Sequence, residues 1–470
     1  MEIVLFNSLT HKKEVFKPIR QGEVGLYACG PTVYLSPHIG NLRTYIFEDI
    51  LRRTLENAGY KVKHIENITD VGHLTSDEDA GEDKLETTSK KSGETVWDIA
   101  KKYTNEFNDA IAKLNILPPT IWCKATDHIE EQKKLAEILW DKEYLYETVD
   151  GLYFDTSKFK SYNEFNPRAA AGNQAGARVA KNDEKKNPTD FAVWKFSPSG
   201  EKRQMEWLSP APFENKMGFP GWHLECSAMS VKYLGQPFDI HCGGVDHLAI
   251  HHPNEIAQSE AALDKKMCNF WLHGEFLLVD GGRMGKSEGN AFTLEELKAK
   301  GFDPMVFRYA CLLTHYRQKM NFTWEALESA KKAYESLSAF TWAQSANSHE
   351  LADKGAVALH EEVVGKLADD LNTPEALGAL WRFVRSGIST QVEKKAGVLS
   401  AFNLLGLITA TKPLVTDLPA EIKKLLHERA LARNKKDFVT SDSLRQQIVA
   451  LGYEVEDTAA GQQINKAPSC

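Results

Sequence analysis

Val24-Gly25-Leu26-Tyr27-Ala28-Cys29-Gly30-Pro31-Thr32-Val33-Tyr34-Leu35-Ser36-Pro37-His38-Ile39-Gly40-Asn41 runs from an apolar stretch through a proline-marked turn into helical spacing. Val24 to Cys29 reads as a short strand, and Pro31 and Pro37 punctuate the turn. Leu42, Tyr45, Ile46, Ile50 and Leu55 then recur at helical intervals up to Gly59, a plausible C′ glycine. Val62 to Ile68 is the next strand. The whole is a βαβ unit. It sets His38 and Gly40 at a helix N-terminus beyond a strand's carboxyl end, where open α/β sheets bind nucleotides.

Downstream, residues from about 116 to 220 read as an insertion, with Pro118-Pro119, the polar run Asn182 to Pro188 and the proline-rich stretch Ser209 to Pro220. The βα pattern then resumes. Trp222 to Leu234 is helical, Phe238 to His241 a strand, Pro253 to Leu263 a helix, and Glu275 to Val279 a strand entering a glycine-rich loop. Thr293-Leu294-Glu295-Glu296 has capping-box form and starts a helix. From about residue 303 the pattern is helical, and Pro413 to Pro419 reads as a linker before a last small module. No internal repeat is visible.

A chain of 470 residues is too long for one compact core. Its 42% hydrophobic and 26% charged content are ordinary for a soluble protein. No apolar run is long enough to span a bilayer, and Met1-Glu2-Ile3-Val4 does not open a signal sequence, so a cytoplasmic protein is expected. Seven cysteines without short repeated spacing argue against a disulfide framework. A net charge of -8 speaks against broad nonspecific binding to nucleic acid but not against a local basic surface.

Two stretches carry the chemistry. Gly221-Trp222-His223-Leu224-Glu225-Cys226 is followed 25 residues after its thiol by His251-His252-Pro253-Asn254-Glu255, whose His251 and Glu255 share a helix face. With Cys29 these residues offer the thiolate, imidazole and carboxylate donors that zinc takes. The residues alone equally allow a buried strand end, an amphipathic helix and a surface pair, and that plainer reading is the default without short CxxC spacing. His38, and Lys286 in Gly281-Gly282-Arg283-Met284-Gly285-Lys286-Ser287, suit phosphoryl oxygens whose charge changes during reaction. Taken singly, each is also an ordinary residue.

In this order and at these separations the motifs resemble the cysteinyl-tRNA synthetases, from Cys29 to about Lys466 and least clearly in 72–115 and 340–415. The resemblance implies an α/β fold: a Rossmann-type class I synthetase catalytic domain with a connective insertion, then an α-helical bundle and a small anticodon-binding module. The implied divisions are 1–115 and 221–302 for the two catalytic halves, 116–220 for the insertion, 303–412 for the stem-contact region and bundle, and 413–470 for the module.

It implies one Zn2+ per chain on Cys29, Cys226, His251 and Glu255, where the substrate thiolate joins the metal and serine is rejected without editing. Gly30, Thr69, Trp222 and His241, with Cys29, are implied contacts of the amino acid. Thr32, His38, Gly40, Asn41, Gly243, Asp246, Arg283, Met284, Lys286 and Ser287 are implied contacts of ATP, which arrives with Mg2+. His38 and Lys286 are the implied catalytic pair.

Four positions depart from the family pattern. Asn41 stands for a second histidine, Cys242 for a glycine, Arg283 for a lysine and Gly285 for a serine. In the tail, Lys423, Lys424, Arg429, Arg433, Lys435 and Lys436 face only Glu421 and Glu428, which reads either as a solvated helix or as a surface for tRNA(Cys). The expected enzyme is a monomer, uses L-cysteine and ATP, and has no membrane partner. A cysteine-adenylating ligase of the mycothiol pathway is the alternative enzyme. A non-catalytic tRNA-binding paralogue is disfavoured by the retained His38 and Lys286.

Overall fold

The computed structural model of the chain describes residues 1–72, 83–162, 184–198, 200, 202–285, 289–342, 354–387, 389–407, 418–435, 437–458 and 461–466. Lys286, Ser287, Lys436, most of the acidic stretch after Gly72 and most of the proline linker lie outside the described residues.

Five parallel strands form the central sheet, in the order Cys268–Gly274, Phe238–Gly244, Glu23–Ala28, Lys61–Ile68, Ile121–Lys124. Counted along the chain this is 5-4-1-2-3, the doubly wound order. The order reverses between Glu23–Ala28 and Phe238–Gly244, so the crevice at their carboxyl ends is the ligand-binding place of such sheets. Cys29 and Gly30 follow the first of these strands, and Asp246 follows the second.

The helix Ile39–Asn57 starts and stops on local signals. His38 is its N-cap; its Nδ1 accepts from the Asn41 backbone N at 3.2 Å, and the Asn41 side chain accepts in return from the His38 N at 3.4 Å. At the other end Gly59 has φ 89°, and Tyr60 N donates to Leu55 O while Gly59 N donates to Glu56 O. This pair of bonds is a Schellman close, as the glycine led us to expect.

Other expectations shift. The strand beginning at Phe238 continues through Gly243 and Gly244 because His273 and Gly274 of the parallel strand Cys268–Gly274 pair with them. Cys268–Gly274, a central-sheet strand, was not foreseen, and Leu277–Val279 instead joins Gly282–Arg283 and Met320–Phe322 in a separate small sheet. Ile121–Lys124 belongs to the parallel sheet although it lies past residue 115. An antiparallel sheet follows, ordered Leu145–Thr148, Gly151–Phe154, Phe191–Phe196, Met217–Pro220, Trp207–Leu208. The helix expected from Pro253 begins at His251.

Two compact units emerge: Met1–Pro304 with Thr314–Phe322 and Ala368–Leu371, and Met305–Leu313 with Thr323–Leu367 and Asn372–Cys470. The second is not wholly helical. Its last part pairs helices Ala420–Asn434 and Phe438–Ala450 with a hairpin of Tyr453–Thr458 and Gly461–Lys466, around Ile422, Ile448, Val455 and Ile464. Arg429, read from sequence as part of a basic surface, is instead fully buried, with Nη1 donating to Gln462 Oε1 at 2.5 Å. It fastens helix to hairpin. No helix among the described residues is long and apolar enough to cross a membrane.

One buried polar group set lies between the first helix and the sheet. Glu48 on the helix and His64 and Glu66 on the next strand are 1%, 3% and 3% exposed. Both Glu48 oxygens, Glu66 Oε1 and both His64 nitrogens lack hydrogen-bond partners among the described residues. Burial pushes both carboxyl groups well above their ordinary 4.5, and Glu66 adds to the effect on Glu48. Burial, with Arg52 adding, lowers His64 to about 3.

The folded acids therefore keep protons that the unfolded chain releases above about pH 4.5, and their own contribution to stability falls as pH rises. Glu48→Gln is expected to melt above wild type at about pH 8 and to lose that advantage towards pH 4. Thermal melts across this range check it, and an advantage that grows on acidification contradicts the assignment.

Candidate active site

Three separate segments bring four donors together. Cys29 comes from the end of the central strand, Cys226 from the helix Trp222–Leu234, and His251 and Glu255 from the first turns of the helix His251–Leu263. Their ligand atoms all lie within 4.8 Å of one another, and all four residues are buried. Tetrahedral zinc with bonds of about 2.0–2.3 Å separates its ligands by roughly 3.3–3.8 Å, so a small inward adjustment suffices. The donor set fits zinc.

A second set, Cys29, His241, His252 and Glu255, meets the same limit. It shares the thiol and the carboxylate with the first, and one imidazole from each set holds the shared carboxylate. His241 Nε2 is 2.9 Å from Glu255 Oε2, and His251 Nε2 is 3.0 Å from Glu255 Oε1. His252 Nε2 is 3.3 Å from Cys29 Sγ, its Nδ1 is 2.7 Å from His273 Nε2, and His273 Nδ1 reaches Ser8 Oγ at 2.8 Å. His223 Nδ1 lies 2.9 Å from His251 Nδ1. Chains of this kind orient metal ligands through their outer atoms.

The charges are mutually arranged. Burial opposes ionisation of Glu255, but His241 and His251 hold its carboxyl far below the usual carboxylate range. Burial likewise opposes charge on His251, yet Glu255 and Cys226 raise it to about 10. Burial would raise Cys226 too, but hydrogen bonds from Cys29 and His251 bring it below its ordinary value. Cys29 is pushed up by burial and by Cys226. The two thiols are thus set apart, Cys226 lowered and Cys29 raised.

Around the donors, the Trp222 ring stands 4.4 Å from that of His251 and is half-buried. Gly30 approaches the second strand so closely that a Cβ there would lie 1.6 Å from Asn67 O. Thr69 is buried, and its hydroxyl donates to Glu225 Oε2 at 2.8 Å. Thr32 bridges Thr69 through the backbone. Gly243 is the last residue but one of its strand, beside His247 and His252, and Asp246 is exposed just beyond. Cys242 is fully buried and alternates with His241, so its thiol faces away from the donor side.

The nucleotide-side residues also gather. His38 and Gly40 open the first helix, and a Cβ on Gly40 would stand 3.2 Å from Met284 Sδ. Ile39 N donates to Phe292 O, and His38 forms an isolated bridge with Thr293. Arg283 is exposed. Asn41, foreseen as an ATP contact, is the reciprocal half of the capping box.

Sequence reasoning missed His252, His273, Asn67 and Glu225. His252 carried a positional signal, lying three residues before Glu255 on the same helix face, and Asn67 stands in the stretch Asn67-Ile68-Thr69-Asp70 that resembles the family, without a role assigned to it.

A family model of the class I (C) tRNA synthetase catalytic domain matches residues 15–332, and one of the cysteinyl-tRNA ligase anticodon binding domain matches residues 415–464. Cysteine--tRNA ligase 1 of Burkholderia lata is 48% identical over 466 residues, covering 99% of this chain and 97% of that protein. The cysteine--tRNA ligase of Treponema denticola is 39% identical, covering 98% of each. Among solved structures, methionyl-tRNA synthetase of Mycobacterium tuberculosis, in complex with methionyl-adenylate, aligns with TM-score 0.56 at 14% identity over 82% of this chain and 89% of that one. This last likeness concerns the fold.

Proposed function

The chain belongs to the cysteine–tRNA ligase family, and on that premise we infer that it activates L-cysteine with ATP to cysteinyl-adenylate and pyrophosphate, then passes the cysteine to the 3′-terminal adenosine of tRNA(Cys). The observation that carries the reading is the convergence of Cys29, Cys226, His251 and Glu255 at the sheet's switch point. One zinc ion per chain, held by these four, would supply a soft Lewis acid that favours a thiolate over a hydroxyl.

The chain's own residues then divide the work. Trp222, whose ring packs on that of His251, and Gly30 are the proposed contacts of the amino acid beside the donors. His241 keeps Glu255 ionised and fixed. His38 accepts from Asn41 N through Nδ1, so its neutral ring carries the proton on Nε2, a donor for a phosphoryl oxygen at a helix N-terminus. Lys286 supplies a second donor, this one positively charged, and Mg2+ accompanies ATP. Thr32, Gly40, Asn41, Gly243, Asp246, Arg283, Met284 and Ser287 complete the proposed nucleotide contacts.

The domain division from the sequence is kept with one change: the first catalytic half extends to Lys124, the end of its third strand. A monomer is proposed, and the cytoplasm is the compartment that tRNA charging suits. The mycothiol-pathway alternative is not favoured, because that ligase lacks the anticodon-binding module matched here.

Cysteine-dependent pyrophosphate exchange, followed by cysteinylation of tRNA, tests the function. Removing residues 415–470 is expected to leave exchange near normal while cysteinylation collapses. Equal loss of both contradicts a separate task for the module.

A further inference from the structure

The two cysteines of the donor set sit on segments far apart in sequence, and one amide side chain touches both. Asn67 Oδ1 accepts from Gly30 N at 2.8 Å, one residue past Cys29, and lies 3.6 Å from Cys226 Sγ. Asn67 Nδ2 donates to Thr69 Oγ1 at 3.0 Å, and Thr69 Oγ1 donates to Glu225 Oε2 at 2.8 Å. Glu225 directly precedes Cys226, so the chain of bonds leaves the helix Trp222–Leu234 at the carboxylate and returns to it at the thiol. Asn67, Thr69, Glu225 and Cys226 are each at most 1% exposed.

The orientation of the amide is decided by its partners. Gly30 N requires an acceptor, which turns Oδ1 towards it and Nδ2 towards Thr69; the hydroxyl hydrogen then goes to the acceptor-only Glu225. An amide held at both ends and buried has one rotamer available. Cys29 is fixed independently by its own N donating to Cys242 O at 3.1 Å. What remains is the spacing of the Cys29 turn from the Cys226 helix, and Asn67 spans that gap.

We propose that Asn67, locked by the Thr69–Glu225 bond, is a positioning residue that sets the separation of the Cys29 and Cys226 thiols for metal binding. The proposal rests on the zinc reading above. It also gives Thr69 a different duty from the direct amino-acid contact implied by the family resemblance: its hydroxyl is engaged by Asn67 and Glu225. Outer partners of metal ligands typically change metal affinity by about 10–100-fold when removed.

The test uses the full-length zinc-loaded enzyme and reads zinc transfer to a chromophoric chelator. Cobalt-substituted protein provides a second readout, its thiolate-to-metal charge-transfer band. Asn67→Ala and Thr69→Val are each expected to speed zinc release by about 10–100-fold and to shift the cobalt band. Thr69→Ser, which keeps the hydroxyl, is expected to restore both. The Asn67→Ala/Thr69→Val double variant should release zinc no faster than Asn67→Ala alone, because both act through one relay.

Thermal melts identify any variant that merely fails to fold; the Thr69 pair differs by little in volume and keeps the question answerable. Unchanged zinc release in Thr69→Val with a raised cysteine KM overturns the relay and favours direct substrate contact. Wild-type protein that contains no zinc overturns the metal site itself, and the relay with it.

Discussion

A Cys226→Ala variant is expected to purify with far less than one zinc per chain and to lose cysteine-dependent pyrophosphate exchange by on the order of a thousandfold or more, since loss of even an outer partner costs about 10–100-fold in metal affinity. The change removes one of four donors. It leaves His251 and Glu255 buried with less to balance them, a costly arrangement. Cys268→Ala is the matched control. That thiol is equally buried in the same apolar cluster, but it belongs to neither donor set. Its loss should cost packing energy and leave zinc in place. Metal analysis of both proteins separates the two effects, and a full zinc complement in Cys226→Ala removes Cys226 from the donor set.

The parts of this structure legible in sequence are those governed by local chemistry. Ile39–Asn57 announces itself by apolar spacing and ends at Gly59, where a left-handed residue is needed. Thr293 and Glu296 form the capping box their spacing suggested. By contrast, Gly243 and Gly244 have no intrinsic strand preference and are held extended by Gly274 and His273 of the neighbouring strand. That strand, Cys-Asn-Phe-Trp-Leu-His-Gly, shows no alternation because the sheet buries it on both sides.

The donor quartet was recognised through resemblance, since thiols and imidazoles scattered over more than two hundred residues carry no periodic signal. The partners that hold it are less visible still. His273, Asn67 and Glu225 read as ordinary strand and helix residues, and their roles exist only once the segments meet. Arg429 shows the converse: a charge in a basic run that tertiary packing turns inward.

Lys286→Ala is expected to slow adenylate formation roughly a hundred- to thousandfold, the usual result of losing one donor matched to transition-state charge. Lys286 lies outside the described residues, but its flanks are well anchored. Gly282–Arg283 pairs with Leu277–Val279, Asn290 Oδ1 accepts from Gly285 N at 2.8 Å, and Asn290 Nδ2 donates to Arg283 O at 3.1 Å. Met284 rests against Gly40, and Phe292 O binds Ile39 N, so both sides of the loop are tied to the helix that carries His38.

Gly285, the residue before Lys286, is thus held by Asn290, and Met284 before it lies against the start of that helix. Arg283 is exposed and its backbone is held in the small sheet, so Arg283→Ala should cost less. The cysteine KM should hardly move in either variant, because the site proposed for the thiol is the separate donor set, and the loss should fall on kcat. Pyrophosphate exchange measured for both decides it. Near-normal exchange in Lys286→Ala, with exchange abolished in Arg283→Ala, assigns the phosphate role to the arginine.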